Sequence, residues 1–114
     1  MASGTEPRPL SMSFYETKEQ LGFTEKTTLQ NIVTAMPTNS ILQCQADNTI
    51  LDSEFPLSNR TWGVLVVFKC GNARWVAKYY SQNVDNDQYY EYAKSGLIKT
   101  SPSITSWKKI YEGA

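Results

Sequence analysis

The chain has 114 residues, of which 11 are basic and 11 acidic, and 40% of its residues are apolar. This length fits one hydrophobic core, and the apolar share is too high for a disordered chain. The balanced charge produces no net field that would attract nucleic acid or an anionic membrane surface, so nucleic acid is not an expected partner. No apolar run approaches the length of a transmembrane helix, and we expect no insertion into a membrane.

The sequence contains few of the side chains and motifs that enzymes use for catalysis. The sequence contains no histidine, which is the side chain that most easily transfers protons near neutral pH. It also shows no phosphate-binding loop, dinucleotide motif or metal-ligand spacing, and most carboxylates fall in predicted turns. These features predict a protein that is not an enzyme and that uses no cofactor and no metal ion.

The amino-terminal segment differs in composition from the rest of the chain. Residues 1–13 combine small residues with two prolines, a mixture that sustains neither helix nor sheet, and they are predicted to form a flexible leader. Residues 14–114 are assigned to a single β-rich domain. Within it, residues 14–27 show no clean hydrophobic period, and their structure stays open.

Residues 29–36 predict the single helix. Apolar side chains recur there with the spacing of one helix face, namely Leu29, Ile32, Val33 and Met36. Thr27 or Thr28 can cap the start of this helix, and Pro37 ends it. A helix of two to three turns is unstable alone, so the stripe is expected to pack into the core rather than to form a groove for a partner.

Two further segments follow before the strongest strand signal. Residues 40–45 predict a short strand, and residues 47–59 are rich in loop-forming residues. The loop nevertheless contains apolar side chains that we expect to fold against the core, namely Ile50, Leu51, Phe55 and Leu57.

A β-hairpin is predicted where Gly71 and Asn72 separate two β-rich runs. A two-residue type II′ turn there would pair Cys70 with Ala73 and Phe68 with Trp75. Lys69 would then face Arg74, and both cations should extend into water. The predicted core face consists of Val64, Val66, Phe68, Cys70, Ala73, Trp75, Ala77 and Tyr79.

The remaining segments complete a meander. Residues 84–87 predict a turn, residues 88–94 a third strand and residues 104–111 a closing strand. The fold class is therefore mainly β, a small antiparallel sheet or two-layer β fold with one short helix near the amino terminus. Cys44 and Cys70 are expected to be buried free thiols, with a disulfide between them as the less favoured alternative.

Aromatic residues in the carboxyl-terminal half suggest a binding surface. Adjacent tyrosines on a strand point to opposite faces of the sheet. We expect Tyr80, Tyr90 and Tyr92 to point outward, with Arg74 and Lys78 as polar neighbours. Such a surface suits a sugar ring or a protein partner. The alternative is that these tyrosines cover a second layer of the fold itself.

Five segments of the chain together resemble the sequence pattern of a known protein family. They are residues 61–69, 71–72, 74–80, 88–92 and 104–110. They resemble the knob-type domain of bacteriophage tail fibres and R-type pyocin fibres, and the helix before Pro37 resembles the opening of that domain. Ile104 stands where the family has the first of two aromatic residues, leaving Trp107, and Tyr90 and Tyr92 stand where it often has arginine.

The resemblance implies a β-rich fold, a structural or host-attachment role, a virion or extracellular location and no catalytic residues. The expected function is a phage-tail or prophage-derived module that recognises a bacterial surface polysaccharide. Its implied partners are other tail or fibre domains, with a homotrimer as one arrangement of the full-length fibre. The alternatives are a purely structural fibre connector and a carbohydrate-binding accessory module of a secreted polysaccharide-active enzyme.

Overall fold

The computed structural model of the protein describes residues 13–56, 63–83, 88–98 and 103–113. Within these ranges the chain is mainly β, as the sequence predicts. The elements in chain order are β1 (Ser13–Tyr15), α1 (Leu29–Ala35), β2 (Ser40–Gln45), β3 (Val64–Cys70), β4 (Arg74–Asn83), β5 (Gln88–Leu97), β6 (Ser103–Ile104) and β7 (Lys108–Gly113). Short 3₁₀ helices span Lys18–Leu21, Ala46–Asn48 and Asp52–Glu54.

The described strands form one mixed sheet. β1 runs parallel to β2, and the other pairs are antiparallel in the order β2, β3, β4 and β5. The predicted meander of β3, β4 and β5 is confirmed. The predicted single closing strand is instead divided, because β6 pairs with one end of β5 and β7 with the other.

Several predicted segments lie at the borders of the described residues or outside them. Ser13, which was assigned to the leader, already pairs with Ser40 as the first residue of β1. Residues 1–12, the predicted turn at residues 84–87 and Leu57 lie outside the described residues. No helix in the described ranges has the length and apolar character needed to cross a membrane.

The helix follows the local signals of the sequence. The Thr28 hydroxyl accepts a hydrogen bond from the Asn31 backbone nitrogen at 3.1 Å, so Thr28 is the amino-terminal cap. The predicted apolar stripe is buried, which confirms its role in the core. Met36 leaves the helical conformation because the residue before a proline avoids it.

The end of α1 depends on a side chain from β3. In a continuing helix the Val33 carbonyl would accept from the nitrogen of residue 37, but Pro37 has no N–H. The Lys69 Nζ atom donates to this carbonyl at 2.9 Å and to the Met36 carbonyl at 2.6 Å. Lys69 is therefore only 6% exposed, and the prediction that it extends into water is wrong. Burial lowers the pKa of Lys69 below its ordinary value.

The hairpin between β3 and β4 has a three-residue loop rather than the predicted two. Cys70 pairs with Arg74, Lys69 with Trp75, and Val67 with Ala77. Gly71 adopts a φ of 64°, which glycine tolerates without the penalty that a side chain would add.

The longer loop moves the register by one residue and inverts the predicted face of β3. The predicted core face of β4 is confirmed, since Trp75, Ala77 and Tyr79 are buried. The predicted face of β3 is wrong, because Leu65 and Val67 now point inward with Lys69. Val64 and Phe68 are about 40% exposed (40% and 39%), whereas Val66 is covered although it lies on their side of the strand.

Tyr79 lies at the centre of the core. Its ring centroid is 5.4 Å from that of Phe55 and 6.4 Å from that of Trp107. Burial of Ile50 and Phe55 confirms that the loop after β2 folds against the core, although Leu51 is exposed. The aromatic core thus joins the loop, the central strands and the segment before β7.

The two cysteines differ in their surroundings. Both thiols are free, as favoured from the sequence, but only Cys44 is partly buried and Cys70 is exposed. The Cys44 sulfur lies 2.9 Å from the Thr49 hydroxyl, and burial raises the pKa of the Cys44 thiol. The predicted burial of Cys70 is wrong because the shifted register turns it away from the core.

The contact between Lys69 and the end of α1 can be tested by Lys69→Met. This change removes both hydrogen bonds and leaves the Val33 carbonyl without a donor, so we expect the free energy of unfolding to fall by about 1–3 kcal/mol. The measurement is urea unfolding followed by tryptophan fluorescence. Lys78→Met on β4 is the control, with an expected change within about 0.5 kcal/mol. An effect no larger than the control's would contradict a stabilising role for the contact.

The difference in stability between the wild type and Lys69→Met should also depend on pH. The pKa of Lys69 is lowered in the folded state, so between this value and the ordinary 10.5 the unfolded chain binds more protons. Stability of the wild type relative to Lys69→Met should therefore rise as the pH approaches 10.5 and level off above it. A difference that falls over this window would show that the folded state favours the charged amine.

The register can be tested by comparing Trp75→Ala with Phe68→Ala. Truncation of the buried Trp75 should cost about 3–5 kcal/mol, whereas truncation of Phe68 should cost less than about 1 kcal/mol. A two-residue hairpin would bury both rings and make both substitutions costly. Equilibrium unfolding of the two variants under one set of conditions separates these registers.

Candidate functional site

The face of the sheet opposite α1 retains exposed apolar side chains. This outer face is formed by alternate residues of the strands, and its exposed members include Phe14 (57% exposed), Val64, Phe68 and Val76. Apolar side chains are normally covered when they form a contiguous group on a sheet. The outer face is therefore the first candidate for a binding surface.

Four apolar side chains lie side by side across β1, β2, β3 and β4. Phe14 pairs with Ile41, Ile41 with Phe68, and Phe68 with Val76. Directly paired residues share a face of the sheet. We call this set the apolar row; it runs across the strands from the β1 edge towards β5.

Two cations flank the row on β4. Arg74 and Lys78 lie two residues before and after Val76, so all three side chains leave the same face. Arg74 is exposed, and Lys78 is partly buried. The apolar row therefore ends between two positively charged groups.

An open depression of about 520 Å³ lies at this end of the row. Phe68, Val76 and Leu97 contribute apolar surface, and Arg74 contributes a cation. This volume falls within the range of pockets that hold small ligands, about 300–1,000 Å³. The depression could accommodate one or two rings of a carbohydrate or a side chain of a protein partner.

The predicted site residues are divided between the two faces. Tyr80, Arg74 and Lys78 share the outer face, where Tyr80 lies between Val64 and Glu91. Their placement on one surface agrees with the orientation expected from the sequence. Whether they bind a ligand stays a prediction.

Tyr90 and Tyr92 do not join that surface, and their predicted outward orientation is wrong. β4 and β5 pair Tyr79 directly with Tyr92, so both rings point to the core side, with centroids 6.5 Å apart. Tyr92 is 6% exposed, and Tyr90 is partly buried against the same cluster. The physical reason is the β4–β5 register, which the sequence left open between two parities.

The sequence prediction missed Phe14, Phe68 and Val76. The assumed two-residue turn placed Phe68 in the core, and Val76 was assigned to the second face without a role. The positive φ of Gly71 within a three-residue loop is the feature that turns Phe68 outward. A run as apolar as residues 64–68 gives no alternation from which this parity could be read.

The far end of the outer face carries a different group of side chains. The Tyr89 hydroxyl donates to Glu91 Oε1 at 3.4 Å, and the Tyr89 and Tyr111 ring centroids are 5.7 Å apart. Desolvation first, and then the Glu91 carboxylate, raises the pKa of Tyr89. The carboxylate makes this end acidic, in contrast to the Arg74 end.

Comparison with known proteins provides no information about the function of the chain. Comparison of the chain with protein-family models, curated proteins and solved structures finds no match. Within the described residues, no three His, Cys, Asp or Glu side chains are grouped so that they could hold a metal ion. The geometry of the outer face is thus what marks it as the candidate site.

The division of the tyrosines predicts different effects on stability. Tyr92→Ala removes a buried ring and should cost about 2–5 kcal/mol, whereas Tyr80→Ala should cost less than about 1.5 kcal/mol. Thermal or urea unfolding of both variants measures the difference. Equal losses would show that Tyr80 also belongs to the core and has no free face for a ligand.

Proposed function

We propose that the protein is a non-catalytic attachment module, phage-tail or prophage-derived, whose outer face binds a bacterial surface glycan. The observation that supports this proposal best is the exposed Phe68 ring beside Arg74 and Lys78 at the end of the apolar row. Its implied setting is a virion or the cell exterior, joined to other tail or fibre domains, as the sequence resemblance suggests.

The chemistry of this surface suits a sugar. One side of a sugar ring presents C–H groups that pack on an exposed aromatic ring such as Phe68, while hydroxyl groups at the ring edge need polar partners. Arg74 and Lys78 supply donors for those hydroxyl groups and positive charge for carboxylates or phosphates. An acidic glycan should therefore bind better than a neutral one.

Binding of a single site should be weak. The depression is open, and the charged groups flanking it are in contact with solvent, where each ion pair contributes at most about 1 kcal/mol. Linking several modules raises the apparent affinity without new contacts. A glycan with repeating units would be retained by several copies in a fibre.

The structural connector is the second candidate, and the composition of the row favours it in one respect. Ile41 and Val76 are aliphatic and form half of the apolar row. Aliphatic surface packs against another protein domain more readily than against a hydroxyl-rich sugar. In this case the outer face would be covered by a neighbouring domain of the fibre.

The proposal predicts a specific pattern of nuclear magnetic resonance shifts. Addition of acidic bacterial polysaccharides to ¹⁵N-labelled protein should shift backbone signals around Phe68, Arg74 and Lys78. Phe68→Ala should weaken binding about tenfold, which corresponds to about 1.4 kcal/mol, and Arg74→Gln should weaken it by up to about fivefold, which corresponds to about 1 kcal/mol. Raising the salt concentration should also weaken binding because Arg74 is exposed to solvent.

Tyr111→Ala is the matched control. It removes an exposed aromatic ring (50%, against 39% for Phe68) on β7 and away from the apolar row, so binding should not change. If Tyr111→Ala and Phe68→Ala change the binding affinity by the same amount, the assigned surface is wrong. If no polysaccharide produces a saturable shift while a neighbouring fibre domain does, the connector replaces the glycan-binding proposal.

A further inference from the structure

The apolar row gives the outer face a direction along which a long ligand can lie. Its four side chains come from four neighbouring strands, namely Phe14 on β1, Ile41 on β2, Phe68 on β3 and Val76 on β4. Neighbouring strands are about 4.8 Å apart, so the row extends about 14 Å across the sheet. One residue of an extended polysaccharide is about as long as one strand spacing. The row therefore has the length of a short oligosaccharide, with one sugar residue above each strand.

Two aromatic rings divide the row at regular intervals. Phe14 is 57% exposed and Phe68 is 39% exposed, and the partly buried Ile41 lies between them on β2. An exposed ring packs against the C–H side of a sugar. Phe14 and Phe68 thus offer two stacking surfaces that are separated by the width of one strand.

Positive charge is confined to one end of the row. Arg74 and Lys78 flank the row on β4, whereas the polar neighbour of Ile41 on β2 is the exposed Gln43, two residues further along the same face. The outward positions of β1, β2 and β3 contain no Asp, Glu, Lys or Arg; they are Phe14, Ile41, Gln43, Gln45, Val64, Val66, Phe68 and Cys70. Three of the four strands under the row are therefore uncharged on this face.

This distribution of charge restricts the spacing of acidic groups in a ligand. A carboxylate above β4 lies near Arg74 and Lys78, which compensate for the water that it loses. A carboxylate above β1, β2 or β3 would lose water against apolar side chains and find no cation, which is unfavourable. The neutral amide of Gln43 instead matches hydroxyl groups, because it both donates and accepts hydrogen bonds.

We propose that the outer face binds a linear, sparsely charged polysaccharide that lies across the strands. One acidic residue lies above β4, and neutral residues follow above β3, β2 and β1, where the last one stacks on Phe14. The twist of the sheet turns the row gradually, and a chain with rotatable glycosidic bonds can follow it. This inference rests on the function proposed above and adds the direction of the ligand and the spacing of its acidic groups.

Oligosaccharides of equal length and different charge spacing test the proposal. Gellan carries a glucuronic acid on one residue in four, polygalacturonate carries an acid on every residue, and dextran carries none. We expect titration of the ¹⁵N-labelled full chain to show that the octasaccharide of gellan binds at least about threefold more tightly than the octasaccharide of polygalacturonate. The octasaccharide of dextran should bind more weakly than that of gellan because it leaves Arg74 and Lys78 without an anion.

Phe14→Ala tests the end of the row on β1. It should weaken binding of the gellan octasaccharide at least about threefold. It should not change binding of the acidic disaccharide of gellan, which is too short to reach β1 from β4. Ile110→Ala on β7 is the matched control, because Ile110 is 56% exposed and lies away from the row; it should change neither affinity.

A gain of binding tests the charge spacing. Gln43→Lys places a cation beside Ile41 and should raise the affinity for the polygalacturonate octasaccharide about threefold. Gln45→Lys adds the same charge to the same face of β2 but two residues further from the row. It should raise this affinity less than about 1.5-fold, because an exposed charge acts weakly over such a distance.

Three outcomes would overturn the inference: polygalacturonate binding as tightly as gellan, unchanged affinity for gellan in Phe14→Ala, or equal gains in Gln43→Lys and Gln45→Lys. If binding in these cases still depends on Phe68 and Arg74, the proposed function stands and only the direction and the charge spacing are wrong. If no oligosaccharide produces a saturable shift, the proposed function and this inference are both wrong.

Discussion

The hydrogen bonds from Lys69 to the end of α1 join the helix to the inner face of the sheet. Pro37 leaves the Val33 carbonyl without its helical donor, and the Lys69 ammonium supplies one from β3. Once Lys69 points towards the helix, Leu65 and Val67 must point the same way, because side chains alternate along a strand. The contact that ends the helix thus lies on the same side of β3 that the three-residue loop turns inward.

That choice of side gives the two faces different surfaces. Phe68 and Val76 emerge on the outer face between two cations, where a large, flat ligand can approach an open surface. The covered face instead encloses the aromatic core.

Segments with a strong local pattern were predictable, and segments without one were not. Thr28 and the spacing of apolar residues define α1 through contacts within a few residues, so the helix was found nearly residue by residue. Residues 64–68 are all apolar, so the sequence prediction of which side chains point to the core depended on the length of the β3–β4 turn. The turn is one residue longer than predicted, which reverses the two faces of β3 and places Phe68 on the candidate binding surface instead of in the core.

The sequence by itself determined the mainly β class, the helix and the order of the central strands, because each depends on hydrogen bonds and periodicity within short segments. Only the tertiary structure decided that Lys69 is buried, that Tyr92 points inward and that Phe14 and Phe68 share one face. Lys69 and Val33 are separated by 36 positions, and Phe14 and Phe68 by a longer stretch of chain. Such pairs meet through the register of the sheet and the position of the helix on it, and no local pattern encodes either.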